Sequence, residues 1–129
     1  MRRAADKIAS LCTQPRDLVA LWRSATQVLA TAVPHWWTPC WYTLDPASLL
    51  MTSHFHEGLD EFPQQWLASE YYDEDVNQLA DVMRSASGIS TLHEATGGRP
   101  SSSPRWHRNM TLGGDQELIA RLRTRSGQV

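Results

Sequence analysis

The sequence predicts an α+β fold in which helices flank a short antiparallel sheet. Three observations favour it: an apolar stripe of helical period that ends near residue 32, two strand-like runs joined by a turn within residues 40–56, and further helix signals from Pro63 onward. A chain of 129 residues is long enough for one hydrophobic core. We therefore expect residues 1–129 to form a single domain.

The N-terminal third contains two helix patterns. Ala4, Ile8 and Leu11 have helical spacing and predict a short first helix that is interrupted before Pro15. The second pattern is predicted to begin at an N-cap, Thr13, and to end before Pro34. Its apolar stripe consists of Leu18, Leu21, Trp22, Ala25, Val28, Leu29 and Ala32. Such a stripe needs an apolar partner, and the strands that follow are the expected one.

A β-hairpin is predicted at about residues 40–56. Asp and Pro are favoured at the first two positions of a type I turn, so Asp45-Pro46 can reverse the chain, and we expect Leu44 to face Leu49. Alternation then gives an apolar face and a mixed face. The apolar face holds Cys40, Tyr42, Leu44, Leu49, Met51 and Phe55, and the mixed face holds Trp41, Thr43, Leu50, Thr52 and His54. The mixed face is either a solvated surface or the wall of a pocket.

The second half of the chain predicts shorter elements. Pro63 indicates a helix start, and Asp73 is expected to cap a further helix that carries Val76, Leu79, Ala80 and Met83. Residues 89–92 resemble a strand, residues 96–103 have the composition of a loop, and Ser103 or Ser101 is expected to cap a short helix. The last segment, around residues 118–123, fits either a helix or a strand.

The composition predicts a cytoplasmic protein without a membrane span. The formal charge is −2, the two cysteines lack a disulfide or metal spacing, and the N-terminus has no apolar signal core. The charges are uneven along the chain. An acidic middle comprises Glu57, Asp60, Glu61, Glu70, Asp73, Glu74 and Asp75, and a basic C-terminal third comprises Arg99, Arg105, Arg108, Arg121, Arg123 and Arg125. Such asymmetry favours two solvated faces, which could contact each other, over a strongly charged partner.

Catalytic signatures are weak. His54 and His56 are two residues apart on a strand, which is half of a metal site; a hydrogen-bonded histidine pair is the favoured alternative, and a haem ligand is a further one. The loop at residues 96–103 lacks the ending of a phosphate-binding loop, and no nucleophile elbow is present. We therefore expect no enzyme activity and no cofactor.

Several segments together resemble a known family. The runs YTLDPASLLMTSHFHEGL, EYYDEDVNQLA, TLHEATGGRPSSSPRW and LGGDQELIARLR resemble, in order, the N-terminal GAF-like sensory region of bacterial LuxR-type helix-turn-helix transcription regulators. The resemblance covers about residues 15–124. It implies a twisted antiparallel sheet flanked by helices, a pocket for a small effector, dimerisation, and a separate C-terminal DNA-binding domain.

The sequence departs from this family at its C-terminal end. In the family, further strands and a closing helix follow the segment similar to ELIARLR, whereas this chain ends at Val129. The resemblance therefore implies a truncated GAF-like sheet and no direct DNA binding by this chain. Missing strands would leave backbone edges unpaired, so we expect a homodimer.

The expected function is a non-enzymatic regulatory or sensory module that binds a small molecule or a protein partner. The expected pocket lies against Trp41, Thr52 and His54, with Trp66 and Tyr71 from the following helix as further walls. The alternative is a dimerisation or protein-interaction module, or the remnant of a longer regulator, without a ligand pocket.

Overall fold

A computed structural model describes residues 2–35, 37–58 and 63–123. The chain has the predicted α+β class, with helices and two separate two-stranded sheets. In chain order the elements are α1 (Arg2–Leu11), α2 (Leu18–Ala30), β1 (Trp41–Leu44), β2 (Met51–Phe55), α3 (Gln64–Tyr72), α4 (Leu79–Arg84), β3 (Ile89–Thr91), α5 (Leu92–Ala95), a 3₁₀ turn (Pro100–Ser102), α6 (Pro104–Thr111) and β4 (Leu118–Ala120). Asp60 and Glu61 of the acidic middle, Arg125 of the basic third and the chain end lie outside the described residues.

The described residues form two compact units. The first contains the residues up to Tyr42 together with those from His54 to Gly58. The second contains Thr43–Ser53 and the residues from Pro63 onward. No helix in the described parts of the chain is both long and apolar enough to cross a membrane.

Helix α2 of the first unit starts later than predicted. The Asp17 carboxylate accepts a hydrogen bond from the Ala20 N–H at 2.9 Å and caps the helix at Leu18. The predicted N-cap, Thr13, is therefore wrong. Its hydroxyl instead donates to the Ser10 carbonyl at 2.8 Å, at the C-terminal end of α1. Asp17 is closer than Thr13 to the apolar stripe of α2, and it is the residue that caps the helix.

Aromatic rings form the core of the first unit. Trp22 of α2 is 7% exposed, and its ring stacks on Trp41 at 6.1 Å and on Phe55 at 5.7 Å between centroids. The predicted packing of α2 against the hairpin is therefore confirmed at these residues. Trp41 was expected on the mixed face, away from Phe55, but it contacts the same helix. Its indole N–H donates to the Thr26 hydroxyl at 3.0 Å, which satisfies the polar edge of the ring.

The hairpin turn is confirmed, but its register differs by two residues. The Asp45 carboxylate accepts the N–H groups of Ala47 and Ser48, as expected of Asp at the start of a turn. The Asp45 N–H donates to the Leu50 carbonyl at 2.9 Å, so the pair that closes the loop is Asp45 and Leu50 rather than Leu44 and Leu49. Leu49 lies within the loop, with φ of +59°. A shift of two residues preserves which side chains share a face.

The helix that Asp73 is predicted to cap begins at Leu79, and its N-cap is Gln78, five residues after Asp73. The Asp73 N–H still bonds the Ser69 carbonyl, so this residue ends α3 and does not cap α4. Asn77 has φ of +60°, a left-handed conformation that cannot belong to a helix. Residues 73–78 therefore form an irregular connection between α3 and α4.

The ambiguous C-terminal segment is a strand. Strand β4 pairs antiparallel with β3, with Ile89 opposite Ala120 and Thr91 opposite Leu118. The core of the second unit is formed by Leu44, Leu79, Val82, Met83 and Leu92. The side chain of Arg121, directly after β4, donates to the carbonyls of Met83 and Ser85 and so completes the C-terminus of α4.

Candidate functional site

A buried arginine lies at the centre of the second unit. Arg105, in the first turn of α6, is only 6% exposed. Its guanidinium contacts Glu70 at 2.6 Å (Nη2 to Oε1) and Glu117 at 3.3 Å (Nη1 to Oε1), and its Nε donates to the Val76 carbonyl at 3.1 Å. A planar guanidinium presents donors in fixed directions, so three acceptors from different segments converge on one side chain.

Each carboxylate around Arg105 has additional hydrogen bonds. Glu70 also accepts the Leu79 N–H, the first of α4, at 3.0 Å. Glu117 accepts the side-chain amides of Asn77 at 2.6 Å and Asn109 at 3.0 Å. Burial alone would lower the pKa of Arg105, but the charges of Glu117 and Glu70 outweigh it and hold the pKa above its ordinary value. The arginine is therefore firmly charged, and its partners are satisfied.

A third buried carboxylate, Asp75, connects this network to the start of α6. It accepts hydrogen bonds from the Ser103 hydroxyl at 2.9 Å, the Arg105 N–H at 2.7 Å and the Val76 N–H at 2.7 Å. Arg108 lies alongside, with Nη2 at 3.9 Å from Asp75. Asp75 thus caps α6 from thirty residues away in the chain, because its carboxylate and the Ser103 hydroxyl both accept the free N–H of Arg105.

We refer to Glu70, Asp75, Arg105 and Glu117 as the buried ion network. Its members hold the irregular connection at residues 73–78 against α6 and β4. Removing one partner from a buried ion pair leaves an uncompensated charge, at a cost of about 3–5 kcal/mol. The network therefore holds the backbone around it in one arrangement.

An open cavity of about 660 Å³ lies against this connection. It is lined by Asp73, Glu74, Asp75, Val76, Gln78, Ala95, Thr96, Ser102, Ser103 and Pro104. Its lining residues come from the irregular connection, the end of α5 and the start of α6. Asp75 and Ser103 belong both to the cavity lining and to the hydrogen bonds that anchor α6.

The side chains that line the cavity determine which groups it can present to a ligand. Its lining residues offer carboxylates, hydroxyls and one side-chain amide, but they include no histidine, cysteine or lysine. Within the described ranges, no group of three or more His, Cys, Asp or Glu side chains is arranged to hold a metal ion. The arrangement can recognise a small polar molecule by hydrogen bonds and charge.

Two of the residues predicted to line a pocket lie in the first unit. Trp41 packs on Trp22 and bonds Thr26, as described above. The His54 ring stacks on His56 with 5.6 Å between centroids.

The other three predicted pocket residues lie in the second unit. The Thr52 hydroxyl contacts the Thr43 hydroxyl at 2.8 Å, and Trp66 is half-buried in α3. The Tyr71 hydroxyl accepts the Met51 N–H at 2.6 Å and donates to the Leu49 carbonyl at 3.3 Å, which ties α3 to the hairpin loop. A pocket shared by all five residues stays a prediction.

The sequence reasoning missed the buried ion network. The sequence predicts Asp73 as a helix cap and the acidic and basic residues as two solvated faces that could contact each other. The available signal was the charge asymmetry itself, because the acidic middle and the basic third supply Glu70, Asp75, Arg105 and Arg108 to one cluster. Which acid meets which base could not be obtained from the order of charges.

Comparison of the chain with protein-family models, with curated proteins and with solved structures found no significant match.

Proposed function

We propose that this chain is a regulatory, ligand-sensing module of the GAF-like type found in the N-terminal region of LuxR-type regulators, and that it acts without catalysing a reaction. The effector site in this proposal is the cavity at residues 73–78, 95–96 and 102–104. The observation that carries the proposal is that this cavity is lined by segments which the buried ion network holds together.

This arrangement suits a sensor. A preformed polar site loses little conformational entropy on binding, because its lining is already ordered. Asp75 and Ser103 contribute both to the site and to the cap of α6, so a bound molecule adds contacts to the same residues that position this helix. Occupancy would therefore stabilise the second unit.

The test is a thermal-shift screen of the full chain against small cationic, neutral and anionic metabolites. A true ligand raises the unfolding temperature in a saturable manner. At a concentration of one hundred times its Kd, it raises the free energy of unfolding by about 2.7 kcal/mol. It should be recovered chemically unchanged after incubation. If no compound of any class gives a saturable shift, the proposal is wrong.

A matched pair of variants localises the effect. Ala95→Phe places a ring in the cavity lining from an exposed position, and Ala86→Phe makes the same change at an exposed position outside the lining. We expect the first to abolish the ligand-induced shift and the second to preserve it. Equal ligand-induced shifts in the two variants would show that the ligand binds outside this cavity.

A second candidate function, self-association, is favoured by the ribbon of β3 and β4. Ile89, Leu118 and Leu122 are 55%, 60% and 62% exposed, and the pairing register places Ile89 and Leu118 on the same face. No charged side chain belongs to this face of the described ribbon, and Arg121 is held by α4. The edge strands of two copies could therefore pair with each other. The uncharged faces of the two ribbons would then lie side by side, without like-charge repulsion.

Sedimentation velocity at tens of micromolar tests this candidate. A dimer is expected that Leu118→Glu dissociates and that Leu50→Glu, a matched change at an exposed hairpin residue, leaves intact. A monomeric wild-type chain would exclude self-association of this chain.

A further inference from the structure

The hydroxyl groups that line the cavity have their hydrogen atoms directed into the protein. Thr96 donates to the Leu92 carbonyl at 2.7 Å, Ser102 to the Arg99 carbonyl at 2.7 Å, and Ser103 to Asp75 at 2.9 Å. A hydroxyl has one hydrogen and two lone pairs. Thr96 and Ser102 can therefore act only as acceptors towards a molecule in the cavity, unless they give up an internal bond.

The backbone of the lining follows the same pattern. Five of the nine backbone N–H groups in the lining have bonds within the protein, namely those of Asp73, Val76, Thr96, Ser102 and Ser103. Pro104 has no N–H group. The Gln78 amide uses one N–H on the Asp73 carbonyl at 2.5 Å and keeps its own carbonyl oxygen. The side chains of the lining therefore offer more hydrogen-bond acceptors than donors.

The charges in the cavity agree with this polarity. Three of the ten lining residues are carboxylates, and the lining includes no Lys, Arg or His. Arg108 approaches Asp73 at 3.6 Å, but it also bonds Ser69 and lies near Asp75. Glu74 is exposed and carries the least engaged carboxylate of the three.

A buried acceptor lies beside the cavity lining in the chain, although it does not itself line the cavity. Asn77 follows Val76 and precedes Gln78, both of which line the cavity, and it is 6% exposed. Its amide nitrogen donates to Glu117, which orients the side chain, and its Oδ1 accepts no hydrogen bond from the described part of the chain. A buried oxygen without a donor is costly.

We propose that the cavity binds a small organic cation, an aliphatic amine or guanidine, whose N–H groups donate to Glu74, Asp73 and the outward lone pairs of Thr96 and Ser102. An ammonium has three donors and a guanidinium five, and neither has an acceptor, so both complement this lining. The aliphatic stem contacts Val76, Ala95 and Pro104. This inference rests on the proposed function, because it names the chemical class of that module's effector.

The experiment titrates the full chain with agmatine, with citrate and with 1,4-butanediol at constant ionic strength, by thermal shift and calorimetry. Agmatine carries both cationic groups on a short stem, while the other two probes represent anions and neutral hydrogen-bonding molecules. We expect a saturable stabilisation by agmatine alone. Stabilisation by citrate or butanediol and not by agmatine would overturn the cation assignment and leave the sensory function standing.

Two charge variants separate a specific site from general attraction to an acidic protein. Glu74→Gln should weaken agmatine binding about 2- to 5-fold, the range of an exposed ion pair. Asp81→Asn removes the same charge from an exposed residue outside the cavity and should leave the affinity unchanged. Equal weakening by both variants would overturn the site, and a chain that binds no compound of any class would overturn the sensory function as well.

Discussion

The interiors of the two units of this chain differ in one respect, which is that only the second buries a network of charged side chains. The first is built on stacked rings, with Trp22 between Trp41 and Phe55. The second combines an aliphatic core with a buried charged side chain, Arg105, which Glu70 and Glu117 contact. The free energy gained by burying apolar side chains is proportional to the buried area, so it depends little on any one contact. A buried charge, in contrast, needs each of its partners in place. The second unit is therefore the one in which a single substitution should have the largest effect.

The largest expected effect is that of Arg105→Met. This change removes the positive charge and leaves Glu70 and Glu117 buried without compensation, so we expect a loss of about 3–5 kcal/mol in the free energy of unfolding. Arg105→Lys should lose less, because one charge remains. Denaturant unfolding measures both, with Arg84→Met, an exposed arginine, as the control expected to change stability little. A loss for Arg105→Met no larger than for the control would refute the importance of the network.

Trp22→Ala is the matching change in the first unit. It removes the ring that both Trp41 and Phe55 contact, and we expect a loss of about 3 kcal/mol, at the lower end for a large aromatic core residue. Trp22→Phe should retain most of the stability, because a ring remains. Near-UV circular dichroism and denaturant unfolding check this. If Phe and Ala were equally damaging, the stacked-ring description would be wrong.

Tyr71→Phe tests the tie between α3 and the hairpin loop. The hydrogen bonds of the Tyr71 hydroxyl to Met51 and Leu49 are lost, and we expect the free energy of unfolding to decrease by about 1 kcal/mol. Partial burial raises the pKa of Tyr71 above its ordinary value of 10.0. The neutral phenol therefore contributes stability that is complete below pH 10 and is lost as the pH rises through the raised pKa.

The Phe variant should lack this alkaline loss. Unfolding measured across the alkaline range compares the two proteins, and identical pH profiles would show that the Tyr71 hydroxyl does not titrate as described.

The smallest effect is expected for the exposed pair of the first unit. Arg23 contacts Glu57 at 2.5 Å, but their side chains are 57% and 44% exposed. Arg23→Gln should cost under about 1 kcal/mol, and added salt should reduce the difference. The loss in Arg105→Met should persist in salt, because that pair is shielded from solvent. Equal salt sensitivity of the two variants would contradict the contrast between the units.

The sequence predicted those parts of the fold that depend on local patterns. The periodicity of α2, the Asp45-Pro46 turn and the Ser103 cap of α6 each lie within a few residues, and all three are present in the structure. The register of the hairpin was wrong by two residues, because the loop holds Leu49 in a left-handed conformation that leucine rarely adopts.

The candidate site could not be predicted in the same way. Asp75 and Arg105 are thirty residues apart, and their pairing depends on how α6 packs beside the irregular connection. Asp73 is a good helix cap by type, yet the left-handed Asn77 delays α4 to Leu79. The lining of the cavity follows from these two tertiary features, and a pocket lined by the aromatic residues that the sequence favours stays a prediction.

The most direct test of the account is an amide NMR titration of the full chain with agmatine. If the cavity is the effector site, saturable shifts should appear at Gln78, Thr96 and Ser102, with Trp41 and His54 unchanged. Shifts confined to Trp41 and His54, or no saturable shift at any residue, would contradict the assignment of the cavity as the effector site.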